Sequence, residues 1–366
     1  MISGSLPPMM CGVGDYTNKL IDALKKNPNL KLGVITSKEA IMWKPPSGID
    51  IFPIMNNWNL FEAYRIHRAI RAWKPDVVHV QFPTQGYKNG QLIWLLPIIG
   101  WLNGAKIVET WHGWYDIRQA LKVLLKALIP GVIIYVHPTF REEFPRLMNW
   151  VFWNKKTILI KNASAIPRSK LSEFEKISLR KKCSNESERL FSFFGFVYPH
   201  KGVERLFEIA NPNRDRLLIV GKVEEETAYG QKILSLSNSE PWRGKVTITG
   251  FLPEAEAADL LAISDAVVLP MMIGAGEWNT SVHAGVQQGT FVLTTSVHKN
   301  GYVEKDNVYF SKIGDVNEMK QALDKYSGRH LTIDNLSSQS EWDEIAKKHS
   351  ESYSNLMNKS SSKVMP

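Results

Sequence analysis

Twice along this chain a short apolar run ends in a glycine-bearing polar turn and passes into a helical apolar pattern. The first is Phe193-Phe194-Gly195, then Phe196-Val197-Tyr198-Pro199-His200-Lys201-Gly202, then Val203, Leu206, Phe207, Ile209 and Ala210 at helical spacing. The second is Ala266-Val267-Val268-Leu269-Pro270, the loop Gly274-Ala275-Gly276-Glu277-Trp278-Asn279-Thr280-Ser281, and a helix carrying Val282, Ala284 and Val286. Gly289 stops that helix before a further strand, Phe291-Val292-Leu293-Thr294-Thr295. Leu217-Leu218-Ile219-Val220-Gly221 and Val246-Thr247-Ile248-Thr249-Gly250-Phe251 lie between the two. Strands joined by helices make a parallel α/β domain, and such domains bind ligands at the carboxyl ends of their strands. A glycine turn beside a lysine and a helix start is a seat for an anion such as a diphosphate. The same residues also fit an ordinary βα turn with Gly195 at the bend and Lys201 in solvent.

With 366 residues the chain has room for two domains, each with its own core, and its 44% hydrophobic and 22% charged content is that of a soluble globular protein. Cys11 and Cys183 are the only cysteines, which fits a reducing compartment and no disulfide framework. Only Met1-Ile2 precede Ser3-Gly4, where such a domain should open on a full apolar strand. Either that strand is unusually short or the recorded start lies a few codons inside the true one. No secretory signal is visible. The apolar runs 92–102 and 124–136 are too short or too interrupted to span a bilayer.

The net charge of +9 is unevenly placed. Residues 1–166 carry 20 Lys+Arg against 10 Asp+Glu, and nine of the 12 tryptophans lie there too. Arg65, Arg68, Arg71 and Lys74 precede the strand of Asp76, and Lys122 and Lys126 lie in the amphipathic stretch 120–128. Basic side chains among tryptophans suit a surface that rests on anionic lipid. The bland reading, a solvated basic face over core tryptophans, holds for any single residue. No nucleic-acid motif accompanies the charge, so nucleic acid is not an expected partner.

The segments FFGFVYPHKGVERLFEIA, LLIVG, VTITGFLPEAEAADLLAISDAVVLP and NTSVHAGVQQGTFVLTT resemble, in order and spacing, the donor-binding domain of retaining GT-B glycosyltransferases of the family-4 group. In the first half, Ser5 to Thr17 resembles that family's first glycine loop, with a helix over 19–26 behind it. Residues 75–81 and 106–113 resemble its later strands, and Glu341-Trp342-Asp343-Glu344-Ile345-Ala346 with Tyr353 its closing helix. The resemblance spans nearly the whole chain. It implies an α/β GT-B architecture of two Rossmann-like domains facing across a cleft that closes during turnover, with a C-terminal helix crossing back. The expected organisation is an acceptor-binding domain over 1–166, a donor-binding domain over 167–336 opening on a helix at 171–182, a closing helix over 337–357 and a disordered tail over 358–366. First-domain strands are expected near 31–36, 50–54, 76–81, 106–110, 131–136 and 157–160.

Glycosyl transfer must stabilise a leaving diphosphate and a sugar that gains positive charge. By the resemblance, Lys201 meets the diphosphate, Glu277 contacts the transferred sugar, and His112 stands where the family has a histidine near the sugar. Gly12, Gly14 and Gly195 let the backbone approach the donor, Asn279, Thr280 and Ser281 offer N–H groups, and Phe251 lies where the base binds. For each there is a plainer role: a turn, a solvated carboxylate, a structural histidine, an aromatic closing a core. Two departures stand out. Phe196 replaces the family's arginine, and Ala284, counted back from Gly289, stands where its second glutamate holds the ribose, with His283 beside it. The resemblance implies no bound metal or other cofactor, only a nucleoside-diphosphate sugar as donor substrate. The expected activity is hexose transfer to a lipid-linked or polysaccharide acceptor in cell-surface glycan synthesis, in the cytoplasm and peripherally on the inner face of the membrane. The alternatives are a non-catalytic partner subunit and a sugar-nucleotide epimerase of the same fold.

Overall fold

Six apolar runs of the first half, bounded by polar turns, form parallel strands: β1 (Leu32–Ser37), β2 (Ile49–Met55), β3 (Val77–Phe82), β4 (Lys106–Trp111), β5 (Gly131–Tyr135) and β6 (Lys155–Leu159). They fall where the hydrophobic pattern put them, within a residue or two. The computed structural model describes residues 1–366 except 45, 114–125, 185–187, 276–278, 333–337 and 362–366. The chain divides into two units, Met1–Asn162 with Trp342–Pro366, and Ala163–Glu341.

In the first unit β1 pairs with β2, and β3, β4, β5 and β6 follow one another in register. Ile2 joins the two groups. It bridges Ile35 on one side and Val80 on the other, donates its N–H to His79 O at 2.8 Å and accepts from Gln81 N–H at 3.0 Å. A single bridging residue thus occupies a strand's place. Helix α1 (Gly12–Leu24) follows after Cys11, whose extended backbone forms the N-cap. Gly12 and Gly14, expected in a loop with the helix beginning near residue 19, lie instead in the first helical turn. Gly14 is needed there for close packing, since a Cβ would stand 3.2 Å from the Ser5 backbone. Helices α2 (Ala63–Trp73) and α3 (Leu96–Leu102) pack against one another beside the sheet.

The C-terminal helix Ser338–Ser361 belongs to the first unit from Trp342 on and buries Trp342, Ile345, Ala346, His349, Ser352 and Tyr353, a stripe at helical spacing. It runs on to Ser361, so residues 358–361 are helical rather than without structure; the last five lie outside the described residues. The tryptophans are mostly core: Trp43, Trp58, Trp94 and Trp111 are buried, whereas Trp101 and Trp153 are exposed. Lys126, expected on a solvated basic face, is fully buried. Its Nζ lies 2.8 Å from Glu109 Oε2, with Lys155 3.4 Å from the other oxygen, because in that position only an ion pair makes burial tolerable. Lys122 lies outside the described residues.

In the second unit a sheet of seven strands takes the order β12-β13-β11-β10-β7-β8-β9. The ranges are β7 Arg189–Phe194, β8 Asp215–Val220, β9 Val246–Ile248, β10 Ala266–Leu269, β11 Val292–Thr295, β12 Gly301–Val303 and β13 Val308–Ser311. All pairings are parallel except β12 with β13. Phe191 and Phe193 on β7, Leu217 and Ile219 on β8 and Val267 on β10 are buried in one core, each such side chain contributing roughly 1.5–3 kcal/mol. The lead-in helix Glu173–Cys183 starts at Ser172, whose hydroxyl and Glu175 form a capping box. No described helix is long and apolar enough to cross a membrane.

Candidate active site

In the second unit the carboxyl ends of β7, β8, β10 and β11 converge. Gly195, directly after β7, has φ +126°, open only to glycine, and a Cβ there would stand 3.1 Å from Ser281 Oγ. A Cβ on Gly221, after β8, would meet Gly195 O at 2.1 Å. Gly202 (φ +64°) closes the turn Pro199–Lys201 against β10, where a Cβ would lie 2.2 Å from Pro270 O. Met272 N–H donates to His200 O at 2.9 Å, and Ala275 N–H to Thr295 O at 2.8 Å. Helix Thr280–Gln287 begins at this junction. Its N-cap Asn279 accepts from Ser281 N–H through Oδ1 at 2.9 Å.

Lys201 lies in the turn that packs on that junction. Burial pushes its ammonium below the usual lysine range, and among the described residues no carboxylate pairs with it. His200 is likewise held low, by burial and then by Lys201. Phe196 stands 6.0 Å from Tyr198, which stacks on His200 at 5.9 Å, so an aromatic ladder occupies the place of the family's arginine. A partly desolvated ammonium with no carboxylate partner among the described residues is a candidate contact for an anion.

The structure therefore brings Gly195, Asn279, Thr280, Ser281 and the Lys201 turn into one constellation. Phe251 follows Gly250 (φ +72°) at the end of β9 on the same side of the sheet, 73% exposed. Glu277 lies outside the described residues. Ala284 is fully buried in the core, so counting back from Gly289 picks the packed face of the helix rather than a face open to a ligand.

The first unit holds a second constellation. His112 follows β4, and its N–H donates to Phe82 O at 2.7 Å. Its Nε2 lies 3.0 Å from Gln81 Oε1, and its ring meets the edge of Tyr16 on α1 at 4.5 Å. Burial, then His349, pulls His112 down to about 3, which favours the uncharged imidazole at neutral pH. Tyr16 also contacts Trp342 at 5.2 Å. Behind them His79 is hydrogen-bonded at both nitrogens, to Tyr353 Oη and Thr110 Oγ1, each at 2.7 Å, and stacks on His349 at 5.6 Å. Sequence reading missed this network. Its only local sign was the alternation His79-Val80-Gln81, which puts two polar side chains on one face of a strand. Beside His112 a cavity of about 310 Å³ opens at the end of β3, lined by Phe82, Thr84, Tyr87, Asn89, Gln91 and Trp94.

A cavity of about 350 Å³ in the second unit, bordered by Arg168, Lys176, Arg180, Gln288 and His330, lies at the opposite end of helix Thr280–Gln287. Its polar groups are largely engaged internally. Arg180 pairs with Asp265, Lys176 with Glu173, and Gln288 Oε1 accepts from Ser169 N–H. The strand-end junction, with its unpaired lysine, is the better candidate.

Residues 175–349 match the model of the family described as Glycosyl transferases group 1. No curated protein matches the sequence. Among solved structures the chain is similar to a glycosyltransferase from Rickettsia africae ESF-5 (TM-score 0.67, 16% identity, 97% of each chain). It is also similar to a sucrose-phosphate synthase from Thermosynechococcus elongatus (TM-score 0.70, 15% identity, 98% of each chain). A third is Anabaena HepE in complex with UDP-glucose (TM-score 0.65, 12% identity, 99% of this chain and 98% of that one). At such identities the likeness is one of fold, and the fold is GT-B. With a glycosyl transferases group 1 domain on a GT-B scaffold, this chain is a glycosyltransferase.

Proposed function

We propose that the enzyme moves a hexose, with retention, from a nucleoside-diphosphate sugar to a lipid-linked or polysaccharide acceptor in cell-surface glycan synthesis. It would work in the cytoplasm, peripherally on the inner face of the membrane. The observation that carries the reading is Lys201: a desolvated ammonium without a carboxylate among the described residues, in a glycine turn beside the start of helix Thr280–Gln287. HepE, a structural neighbour, was crystallised with UDP-glucose, which supports a nucleotide-sugar donor here.

In this reading Lys201 and the start of helix Thr280–Gln287, with the Thr280 N–H, stabilise the diphosphate as the glycosidic bond breaks, and no metal is assigned to that task. Gly195 keeps side-chain bulk away from the phosphates. Glu277 contacts the transferred sugar, and Phe251 offers a ring to the base. In the first unit, neutral His112, fixed by Gln81 and Tyr16, serves as a hydrogen-bond partner for a sugar hydroxyl. Gly12 has open space around its missing side chain, which leaves the N-terminal amides of α1 accessible.

The test is turnover with UDP-, ADP- and GDP-hexoses, following nucleoside diphosphate release and assigning the product's anomeric configuration by NMR. Release that depends on added glycan or glycolipid, with the anomeric configuration kept, is the expected result. Release without transfer to any acceptor, with the sugar epimerised, would overturn it.

A further inference from the structure

Helix α2 is tied to the first unit by one side only. Ile66 and Ile70 are buried, and Trp73 Nε1–H donates to Asp50 Oδ2 at 2.8 Å. The opposite side carries Phe61, Tyr64, Arg68 and Arg71, spaced three, four and three residues apart, which makes one outward stripe. Phe61 is 94% exposed and Tyr64 68%. Arg68 lies against the Tyr64 ring, 5.8 Å from its centroid, and among the described residues Arg68, Arg71 and Lys74 have no carboxylate partner. Arg65 differs: it is held by Glu62 and by Ile54 O.

The stripe widens onto α3. Asn103, just past the end of that helix, donates its side-chain amide to His67 Nδ1 at 3.1 Å, midway along α2. This link brings the end of α3, with exposed Trp101 (47%) and Leu102 (69%), against the middle of α2. Large apolar side chains in water with unpaired guanidinium groups among them are costly for a surface that meets only solvent. They suit a bilayer interface, where aromatic rings sit at headgroup depth and arginines bond to phosphate. The basic excess of residues 1–166 gives the same sign.

We propose that the outward stripe of α2, with the end of α3, is a docking face for anionic phospholipid. It deepens, and rests on, the reading that the acceptor is lipid-linked, since such an acceptor is met at a bilayer. Arg68 and Arg71 bind headgroup phosphates, while Phe61, Tyr64, Trp101 and Leu102 enter the interface.

The test is cosedimentation of the full chain with vesicles of equal phosphatidylglycerol and phosphatidylcholine, and of phosphatidylcholine alone. The wild type should bind the first far better than the second, less so as salt rises. Arg68→Glu with Arg71→Glu should weaken binding by about tenfold or more, and Phe61→Ser with Tyr64→Ser should weaken it at high salt. Lys305→Glu with Lys320→Glu, an equal charge change in the second unit, should bind like wild type. Equal binding to both vesicles, or an unchanged α2 variant, would overturn the proposal. So would a wild type that stays in solution or self-associates through this face instead. Thermal stabilisation of the wild type by the nucleotide sugar separates the two claims. A wild type that binds the donor but not anionic vesicles counts against the docking face alone, and one that binds anionic vesicles but no donor counts against the transferase reading alone.

Discussion

Lys126 and Lys201 both leave bulk water, and their surroundings treat them oppositely. Lys126, beneath the β4–β6 edge of the first unit, is fully buried. Glu109 lies 2.8 Å away, and the rings of Phe82 and Trp94 stand 5.4 and 5.7 Å from its ammonium. Burial would push the Glu109 carboxyl up, but Lys126 and Lys155 outweigh it and hold the group below its usual range. Lys201, in the β7 turn of the second unit, is desolvated with no such compensation among the described residues. The first charge is neutralised by the fold itself. The second has no carboxylate to neutralise it among the described residues, and that difference is what marks Lys201 as the candidate for binding.

Removing the compensating partner should have the largest effect. Glu109→Ala leaves a buried ammonium facing Lys155, and urea unfolding should show a loss of about 3–5 kcal/mol. A loss below about 1 kcal/mol would mean that the pair is not the neutralising element.

The matching change in the second unit should spare stability and cost activity. Lys201→Ala is expected to lower turnover by roughly 10²–10³-fold, the effect of removing one donor from a developing anion, with the melting temperature unchanged or raised. Wild-type turnover in that variant would equate the two lysines and end the comparison.

Acid should act on the first unit through its histidines. His112 and His349 are pulled by burial to about 3 and about 4, and His79 lies well below 6.5. The unfolded chain therefore takes up protons below about pH 6.5 that the folded chain refuses until near pH 4. Stability is full above 6.5 and falls as the pH drops through that window, by about 1 kcal/mol per histidine over the first unit. His349→Phe should flatten the acid limb of a melting-temperature profile. An unchanged limb would show that other groups carry it.

The smallest expected effect is at the start of helix Thr280–Gln287. Asn279→Ala removes the cap on Ser281 N–H and should cost about 1 kcal/mol of stability, together with a modest rise in donor KM. A larger loss of turnover than in Lys201→Ala would shift the principal anion contact from the lysine to the helix.

How much of this was legible beforehand follows the same division. The strands, the glycine turn with Lys201 and the capped helix after Asn279 are local patterns, and local patterns are what hydrophobic period and turn chemistry report. Gly12 and Gly14 misled because glycine signals a loop, whereas here Gly14 serves close packing against Ser5 inside a helix. The short strands β12 and β13 lacked a long enough apolar run to be noticed. Lys126 looked like a solvated residue because its partner Glu109 sits on a neighbouring element. The setting of His112 was hidden for the same reason, since Tyr16, Gln81, Trp342 and Tyr353 meet only after folding. Ala284 shows the limit of counting: its register along the helix was settled, but not which way its face points.

The most direct measurement is thermal stabilisation of wild type and Lys201→Ala by a panel of nucleoside diphosphates and their sugars. One donor raising the melting temperature of wild type but not of the variant is the predicted result. Equal stabilisation of both proteins, or none from any compound, would contradict the claim that Lys201 is held unpaired for a diphosphate.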